Sequence, residues 1–308
     1  MIQMYKMLWM AVIICLIVYA LNVWQYKKTA YYQITSYSYL SMRLDIGRYG
    51  EYLTYHYLRS YESDGAKFLF NCYLPRDNGD TTEIDVLMIY KSGLYVFESK
   101  NYSGWIFGSE RGKTWTQTLP QGRSSRKEHF LNPVMQNKLH IKWLKNLIQD
   151  ESMPIHSVVV FSERCTLKKV DISSQNVAVI KRNRVNKTVS IIDSKSTIML
   201  TPDKVTELYK KLYPYSQTSM DVRQAHIESI NSRIQQNDQE KEVIPNLSDI
   251  ENNNEKFSYA VEQRICPMCG APLVLRVAKK GTNAGQNFYG CSSFPKCRYI
   301  QNIEYNDK

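Results

Sequence analysis

The chain has 308 residues, of which 43% are hydrophobic and 22% are charged. That length and composition allow one or two domains with a real hydrophobic core, and they exclude a chain that is disordered throughout. The formal net charge of +11 suits a polyanionic partner such as nucleic acid or anionic lipid. A basic surface without such a partner is the alternative.

An uncharged apolar run opens the chain, from Met7 to Trp24. It is long enough to cross the hydrocarbon core of a bilayer as a helix, and tryptophans stand near both of its ends. Basic residues follow it, so the positive-inside bias predicts a single-pass anchor in a bacterial cell membrane, with the bulk of the chain cytoplasmic. The alternatives are a buried helix and a signal peptide, although residues 22–28 make a poor cleavage site. We predict an anchor over residues 1–28 and a juxtamembrane connector over 29–44.

Helix and strand signals alternate over residues 45–213, which favours an α/β domain. A helical pattern runs from Asp45 to Tyr61, and turn signals then separate short apolar runs. Strands are expected over residues 67–74, 83–90, 94–100 and 105–109.

The second half of this region begins with a predicted basic loop from Gln121 to His129. Asn132 as N-cap and Pro133 at the first helical position predict a helix that continues to about Gln149. Two further strands and a last helix are expected over residues 155–161, 177–180 and 201–213.

Three side chains on two adjacent predicted strands can carry phosphodiester chemistry. Glu98 and Lys100 are two residues apart on a strand and therefore share a face, and Asp85 belongs to the other strand of the hairpin. Carboxylates suit Mg²⁺ or Mn²⁺, which polarises a phosphate and lowers the pKa of a bound water. The carbonyl of Ser99 can add a ligand, and Glu51 can reach the same ion or a second one. A surface ion pair between strands is the alternative.

Four motifs follow one another in a specific order: Gly47-Arg-Tyr-Gly-Glu51, Thr82-Glu-Ile-Asp85, Gly93 to Gly104, and Asn132 to Asn137. Over about residues 45–150 they resemble the NERD family, the nuclease-related domain, a branch of the PD-(D/E)xK nuclease superfamily. The resemblance implies a restriction-endonuclease-like fold, with a mixed central sheet flanked by helices, and Mg²⁺-dependent cleavage of DNA.

The catalytic pattern of that family falls on five residues of this chain: Glu51, Asp85, Glu98, Lys100 and Gln136. Of these, Glu51, Asp85 and Glu98 are the expected ligands of the metal ion. The resemblance implies that Gln136 touches the scissile phosphate or the metal-bound water, and a solvent-facing glutamine is the alternative.

Aromatic and basic residues follow the predicted site. The basic side chains can contact phosphates, and the tryptophans can either stack on unpaired bases or pack in the core. These residues are Trp105, Trp115, Arg111, Lys113, Arg123, Arg126 and Lys127.

The composition changes over residues 214–263, which are rich in Gln, Asn and Glu and predict a polar linker with a helix over 222–234. Four cysteines follow in the predicted module of residues 264–305: Cys266, Cys269, Cys291 and Cys297. Their spacing suits a closed tetrahedral Zn²⁺ site with a structural role. Two disulfides or a redox pair are the alternatives.

The residues around these cysteines resemble the C-terminal zinc ribbon of bacterial type I DNA topoisomerases. The resemblance implies DNA binding, with basic residues at phosphates and aromatic rings on bases. The expected contact residues are Arg276, Lys279, Lys280, Phe288, Tyr289, Phe294, Lys296, Arg298 and Tyr299.

The sequence therefore predicts a membrane-anchored, metal-dependent DNA endonuclease with an accessory zinc ribbon. Two alternatives stay open. One is a DNA-binding or tethering protein without catalysis, and the other is an interaction module whose ribbon binds protein.

Overall fold

The computed structural model describes residues 2–77, 79–122, 124–218, 221–226, 228–229, 266, 268–269, 273–277, 287–291, 293 and 295–302. The chain divides into two compact units, residues 1–243 and residues 244–308.

Unit 1 contains seven helices and nine strands within its described residues. The helices are α1 (Ile2–Lys27), α2 (Ala30–Thr35), α3 (Tyr39–Leu44), α4 (Ile46–Leu58), α5 (Pro133–Ile148), α6 (Val185–Lys195) and α7 (Pro202–Leu212). The strands are β1 (Lys67–Pro75), β2 (Thr81–Tyr90), β3 (Gly93–Lys100), β4 (Gly104–Ser109), β5 (Thr114–Gln121), β6 (Ser124–Leu131), β7 (Ile155–Phe161), β8 (Cys165–Asp171) and β9 (Val177–Lys181). Short 3-10 helices cover Arg59–Asp64, Arg182–Arg184 and Tyr213–Ser216, and residues 221–226 and 228–229 are helical.

A mixed five-stranded sheet in the order β1-β2-β3-β7-β9 forms the centre of unit 1. β1, β2 and β3 pair antiparallel, whereas β3, β7 and β9 pair parallel. α4 contacts β3 through Thr54, whose Oγ1 lies 3.2 Å from Ser99 Oγ, and α5 contacts it through Asn137, which donates to the Val96 carbonyl at 2.9 Å. His140 of α5 also contacts the side chain of Glu98, which precedes Ser99 on β3, so the two helices cover opposite faces of the sheet. The mixed α/β fold is confirmed.

A second sheet, in the order β6-β5-β4-β8, packs on the first through a small apolar layer. Trp115 is completely buried there and stacks on Phe161, with ring centroids 5.9 Å apart. Gly108 lies against that ring, because a Cβ at this position would come within 2.2 Å of the indole. The tight contact explains why a glycine interrupts β4.

The predicted basic loop from Gln121 to His129 is wrong, since most of it belongs to β6. β6 pairs with β5 alone and its side chains are mostly exposed. An edge strand of this kind lacks the alternation of apolar and polar residues from which a strand is predicted. β5, β8 and α6 were not predicted either.

Tyrosines join the end of α1 to the rest of unit 1. Tyr26, in the last turn of α1, is buried, and its hydroxyl donates to the Tyr37 carbonyl at 2.9 Å. Its ring contacts those of Tyr31 and Tyr52, on α2 and α4. The segment predicted as a connector, residues 29–44, thus forms two short helices that contribute to the core.

Before this junction, α1 is exposed. Within the helical stretch Gln3–Lys27, the most apolar 18-residue window has a mean hydropathy of 2.3, and none of that window is buried. By length and composition this helix can cross a membrane, and a signal sequence meets the same criteria.

Unit 2 contains a three-stranded antiparallel sheet in its described residues. Its strands are β10 (Leu273–Val277), β11 (Asn287–Cys291) and β12 (Ile300–Asn302), and β11 is the middle strand.

Candidate active site and zinc centre

The candidate active site lies where β2 and β3 separate. Their pairing ends at Val86 and Phe97, one residue before Asp85 and Glu98. Beyond that point Asp85 Oδ2 accepts the backbone N–H of Ser99 at 2.8 Å. The carboxylate thus replaces a backbone acceptor, and this hydrogen bond holds Asp85 beside the strand that carries Glu98.

Glu98 is 3% exposed and has a partner for each of its oxygens. Lys100 Nζ lies 2.6 Å from Oε1, and His140 Nε2 lies 3.1 Å from Oε2. Burial by itself would raise the pKa of Glu98, but Lys100 and the hydrogen bond from His140 outweigh it and hold that pKa at about 2. Glu98 and Lys100 therefore form a buried ion pair.

Two further carboxylates, Glu51 and Glu83, stand close enough to Asp85 to interact with it electrostatically. Burial, and then the charges of Glu98 and Glu51, raise the pKa of Asp85 well above its ordinary range. Burial and the charge of Glu83 raise the pKa of Glu51 to about 7. The charge of Lys100 lowers the pKa of Asp85, whereas three carboxylates raise it, so acidic groups outnumber basic ones among these neighbours.

Asn71 links the two outer carboxylates. Its Nδ2 donates to Glu51 Oε2 at 3.1 Å and to Glu83 Oε1 at 3.2 Å. Asn71 has a φ of 48°, a left-handed conformation that asparagine tolerates better than most residues. Neither Asn71 nor Glu83 was among the predicted site residues. A signal for Glu83 was available, because it lies two residues before Asp85 on the same strand.

His140 was also missed, and it connects Glu98 to β2. Its Nδ1 lies 2.6 Å from Thr82 Oγ1, while its Nε2 faces Glu98. A carboxylate only accepts hydrogen bonds, so Nε2 carries the proton and the Thr82 hydroxyl donates to Nδ1. His140 follows Gln136 by four residues, one helical turn, and this spacing places both on the same face of α5.

Gln136 is half-buried in the first turns of α5. Its Oε1 is shielded from solvent and has no hydrogen-bond partner in the described part of the chain. A buried acceptor of this kind calls for a bound water, ion or ligand. No described contact joins Gln136 directly to the carboxylates.

The two tryptophans after the site differ from each other. Trp115 belongs to the core between the two sheets, as the core-packing alternative predicted. Trp105 is 41% exposed, and Lys168 Nζ lies 5.4 Å from its ring centroid.

The four predicted zinc ligands converge in unit 2, where their Sγ atoms all lie within 4.8 Å of one another. Cys266 and Cys297 are 3.7 Å apart at sulfur, and Cys269 and Cys291 are 3.3 Å apart. Four sulfurs at 2.3 Å from a tetrahedral Zn²⁺ would be about 3.8 Å from one another. The donor set and its spacing therefore fit zinc.

The predicted DNA contacts of the ribbon are described only in part. Lys296 and Arg298 are exposed and Tyr299 is half-buried. Arg276, Phe288 and Tyr289 lie on β10 and β11. Lys279, Lys280 and Phe294 lie outside the described residues.

Known protein families match both units of the chain. The nuclease-related domain (NERD) matches residues 46–162, and the topoisomerase DNA binding C4 zinc finger matches residues 263–306. An uncharacterized protein of Bacillus anthracis is 33% identical over 187 residues, which are 61% of this chain and 84% of that protein. No solved structure matches the chain.

The ribbon also matches whole topoisomerases over a short stretch. DNA topoisomerase 1 of Methanocaldococcus jannaschii is 55% identical over 42 residues, or 14% of this chain and 5% of that protein. DNA topoisomerase 1 of Mycoplasma genitalium is 49% identical over 39 residues, or 13% of this chain and 5% of that protein. The chain belongs to the nuclease-related domain family and carries a topoisomerase-type C4 zinc ribbon after that domain.

Proposed function

We propose that this chain is a membrane-anchored, metal-dependent DNA endonuclease whose zinc ribbon binds the substrate. The observation that carries the proposal is the convergence of Asp85, Glu98 and Lys100 where β2 and β3 separate. Two carboxylates and a lysine at one point are the groups that phosphodiester hydrolysis requires.

The carboxylates supply the metal site of this proposal. Asp85 and Glu98 would hold the ion, with Glu51 beside them, and a bound Mg²⁺ or Mn²⁺ polarises a phosphate and acidifies a water. Two observations support the fit: the excess of acidic over basic groups around Asp85, and the buried, unpartnered Oε1 of Gln136.

Lys100 would act on the substrate electrostatically. Its ammonium group has three N–H donors, and Glu98 Oε1 takes one of them. The others can orient the attacking water and stabilise the negative charge that develops on the phosphate.

The junction at Tyr26 supports α1 as a membrane anchor over α1 as a signal peptide. Cleavage after the apolar run would cut just before a tyrosine that is buried among the rings of α2 and α4. The ribbon, by its likeness to topoisomerase ribbons, would bind DNA at the cytoplasmic side.

The test uses the full chain in detergent micelles with linear, closed circular and single-stranded DNA. We expect cleavage with Mg²⁺ or Mn²⁺, no cleavage with EDTA, and cutting of the closed circle, which only an endonuclease can achieve. Lys100→Ala should lower the rate by roughly 10²–10³-fold, the cost of losing one group that stabilises the transition state.

Lys91→Ala is the matched control. Lys91 lies in the turn between β2 and β3, at the opposite end of the hairpin from Lys100, and pairs with Asp64 and Asp193 at 3.4 and 3.6 Å. Lys91→Ala should cleave at the wild-type rate. No metal-dependent cleavage, or full activity in Lys100→Ala, would overturn the enzyme proposal.

One observation favours a second candidate, a DNA-binding protein without catalysis. Both oxygens of Glu98 already have partners within the protein, Lys100 and His140. This candidate predicts DNA binding with a steep salt dependence and no turnover with either metal.

A further inference from the structure

From the geometry we infer that an arginine-lined pocket beside Lys100 binds a backbone phosphate of the DNA strand under attack. The inference rests on the proposed function, because only a nuclease has a DNA strand under attack. The pocket is a separate site, and none of the predicted catalytic residues lines it. The pocket residues belong to α3, α4 and the ends of three parallel strands.

The pocket lies at the same edge of the sheet as the candidate active site. In the register of the parallel strands, Lys100 of β3 faces Phe161 of β7, and Phe161 faces Lys181 of β9. The residues that directly follow the three strands therefore lie in one row at the carboxyl ends of the strands. They are Asn101, Ser162 and Arg182. Ligands of open parallel sheets bind at this edge.

The lining of the pocket is positively charged. Its volume is about 260 Å³, and its lining includes three arginines and one acid, Arg43, Arg164, Arg182 and Glu163. Glu163 neutralises one arginine, since its Oε2 lies 3.1 Å from Arg182 NH1. Two positive charges remain, which favours an anion as the occupant.

Arg182 is the buried support of the pocket. Its side chain is 1% exposed, and beyond Glu163 it donates to Thr54 Oγ1 at 3.4 Å and to Asn101 Oδ1 at 3.3 Å. An arginine with every nitrogen engaged fixes its neighbours in place and is not itself the main ligand.

Arg164 and Arg43 are the ligands. Arg164 donates from Nε to Ser162 Oγ at 3.2 Å and from NH2 to the Asn101 carbonyl at 2.8 Å. These bonds hold the guanidinium still, and no described contact uses its NH1. Arg43 lies over the ring of Tyr49 and contacts the Tyr49 hydroxyl. A planar guanidinium recognises phosphate through paired N–H donors.

The place of the pocket at the end of β3 argues for a phosphate of the DNA strand that reaches Lys100. Asn101 follows Lys100 directly, and neighbouring strands of a sheet lie about 4.8 Å apart. Successive phosphates of a DNA strand advance by about 3.4 Å along the helix axis. The side chains of Lys100 and Asn101 project to opposite faces of β3, so a DNA strand with one phosphate at Lys100 would pass around the end of β3 and present a further phosphate to Arg164.

The experiment measures DNA binding in EDTA, so that no cleavage occurs. Fluorescence anisotropy of a labelled duplex with the full chain in detergent gives the affinity from about 50 to about 200 mM KCl. Arg164→Ala and Arg43→Ala should each weaken binding several-fold and reduce the slope of log K against log[KCl] by about 0.9, the release of one counterion. Arg164→Lys should keep the slope of log K against log[KCl] but weaken binding, because lysine keeps the positive charge and lacks the paired N–H donors of the guanidinium.

Lys204→Ala is the matched control, since Lys204 is a half-buried cation on α7 with its own partner, Glu207, at 2.9 Å. It should leave both affinity and slope unchanged. An equal effect of Lys204→Ala and Arg164→Ala would reduce the pocket to general surface charge and overturn the inference. Thermal melting followed by circular dichroism establishes that each variant is folded. Arg43 and Arg164 are both exposed, so their substitutions give two independent tests of the pocket.

Closed circular DNA distinguishes an internal phosphate from a terminal one. We expect Arg164→Ala to weaken binding to closed circles and to linear duplexes alike. A deficit confined to linear DNA with a 5′-phosphate would overturn the assignment to backbone phosphate. Because this experiment measures binding, its outcome is independent of catalysis. If Arg164→Ala weakens DNA binding but the wild-type chain cuts no DNA, only the nuclease proposal is refuted. If the wild-type chain cuts DNA but Arg164→Ala binds DNA with unchanged affinity, only the phosphate pocket is refuted.

Discussion

Replacement of His140 by phenylalanine should raise the Mg²⁺ concentration that cleavage requires. His140 donates to Glu98 at 3.1 Å and fixes the oxygen that Lys100 does not hold. A hydrogen bond to a charged group contributes about 1.5–3 kcal/mol, and the middle of that range corresponds to about 40-fold. Loss of a group that orients a metal ligand costs 10- to 100-fold in metal affinity or activity in other metal sites, which agrees with this figure.

The assay is the initial rate of plasmid nicking as a function of Mg²⁺ concentration. His140→Phe should increase the half-saturating Mg²⁺ concentration about 40-fold, and His140→Gln should recover part of this loss because its amide can still donate. Thr82→Val removes the partner of His140 Nδ1 at 2.6 Å, so the tautomer is no longer fixed and a smaller increase is expected. A His140→Phe protein with the wild-type Mg²⁺ dependence would refute this reasoning.

Three further outcomes test the fold and the ribbon. Trp115→Ala should lower the free energy of unfolding by about 3–5 kcal/mol in urea titrations, because it empties a buried site that stacks on Phe161, and a loss of DNA affinity at unchanged stability would contradict this. Asn132→Ala should cost about 3 kcal/mol and Asn132→Ser less, because the side-chain oxygen caps α5 while the two N–H groups of Nδ2 are shared among three nearby carbonyls, and only the cap survives in serine. Cys266→Ser should lower the zinc content below one ion per chain by elemental analysis and weaken DNA binding, and full zinc occupancy in this variant would argue against the four-cysteine site.

Local signals predicted the strands and helix that carry the candidate site. β1, β2 and β3 are apolar runs between strong turn signals, and Asn132 with Pro133 marks the start of α5. The grouping of the four cysteines likewise followed from spacing alone. In these segments the residues that specify the structure are neighbours in the chain.

The elements and site residues that were not predicted depend on contacts with residues far away in the sequence. α6 has only two buried residues, Val185 and Val189, too few for a clear apolar stripe. His140 acquires its role from Glu98 and Thr82, which lie 42 and 58 residues away in sequence. The arginine pocket is likewise assembled from separate elements, and its outline follows from the sheet register and from no local motif.

The buried junction at Tyr26 has a consequence for where DNA can be cut. With α1 in a bilayer, as proposed, the helix and the domain of residues 26–216 move as one body, since no free tether separates them. A domain of that length has a radius of gyration of about 16 Å, so its catalytic site samples a layer on the order of 40 Å deep. The enzyme would then search for DNA by lateral diffusion in two dimensions. It would meet only DNA that lies close to the membrane, such as membrane-proximal parts of the chromosome or DNA that enters the cell.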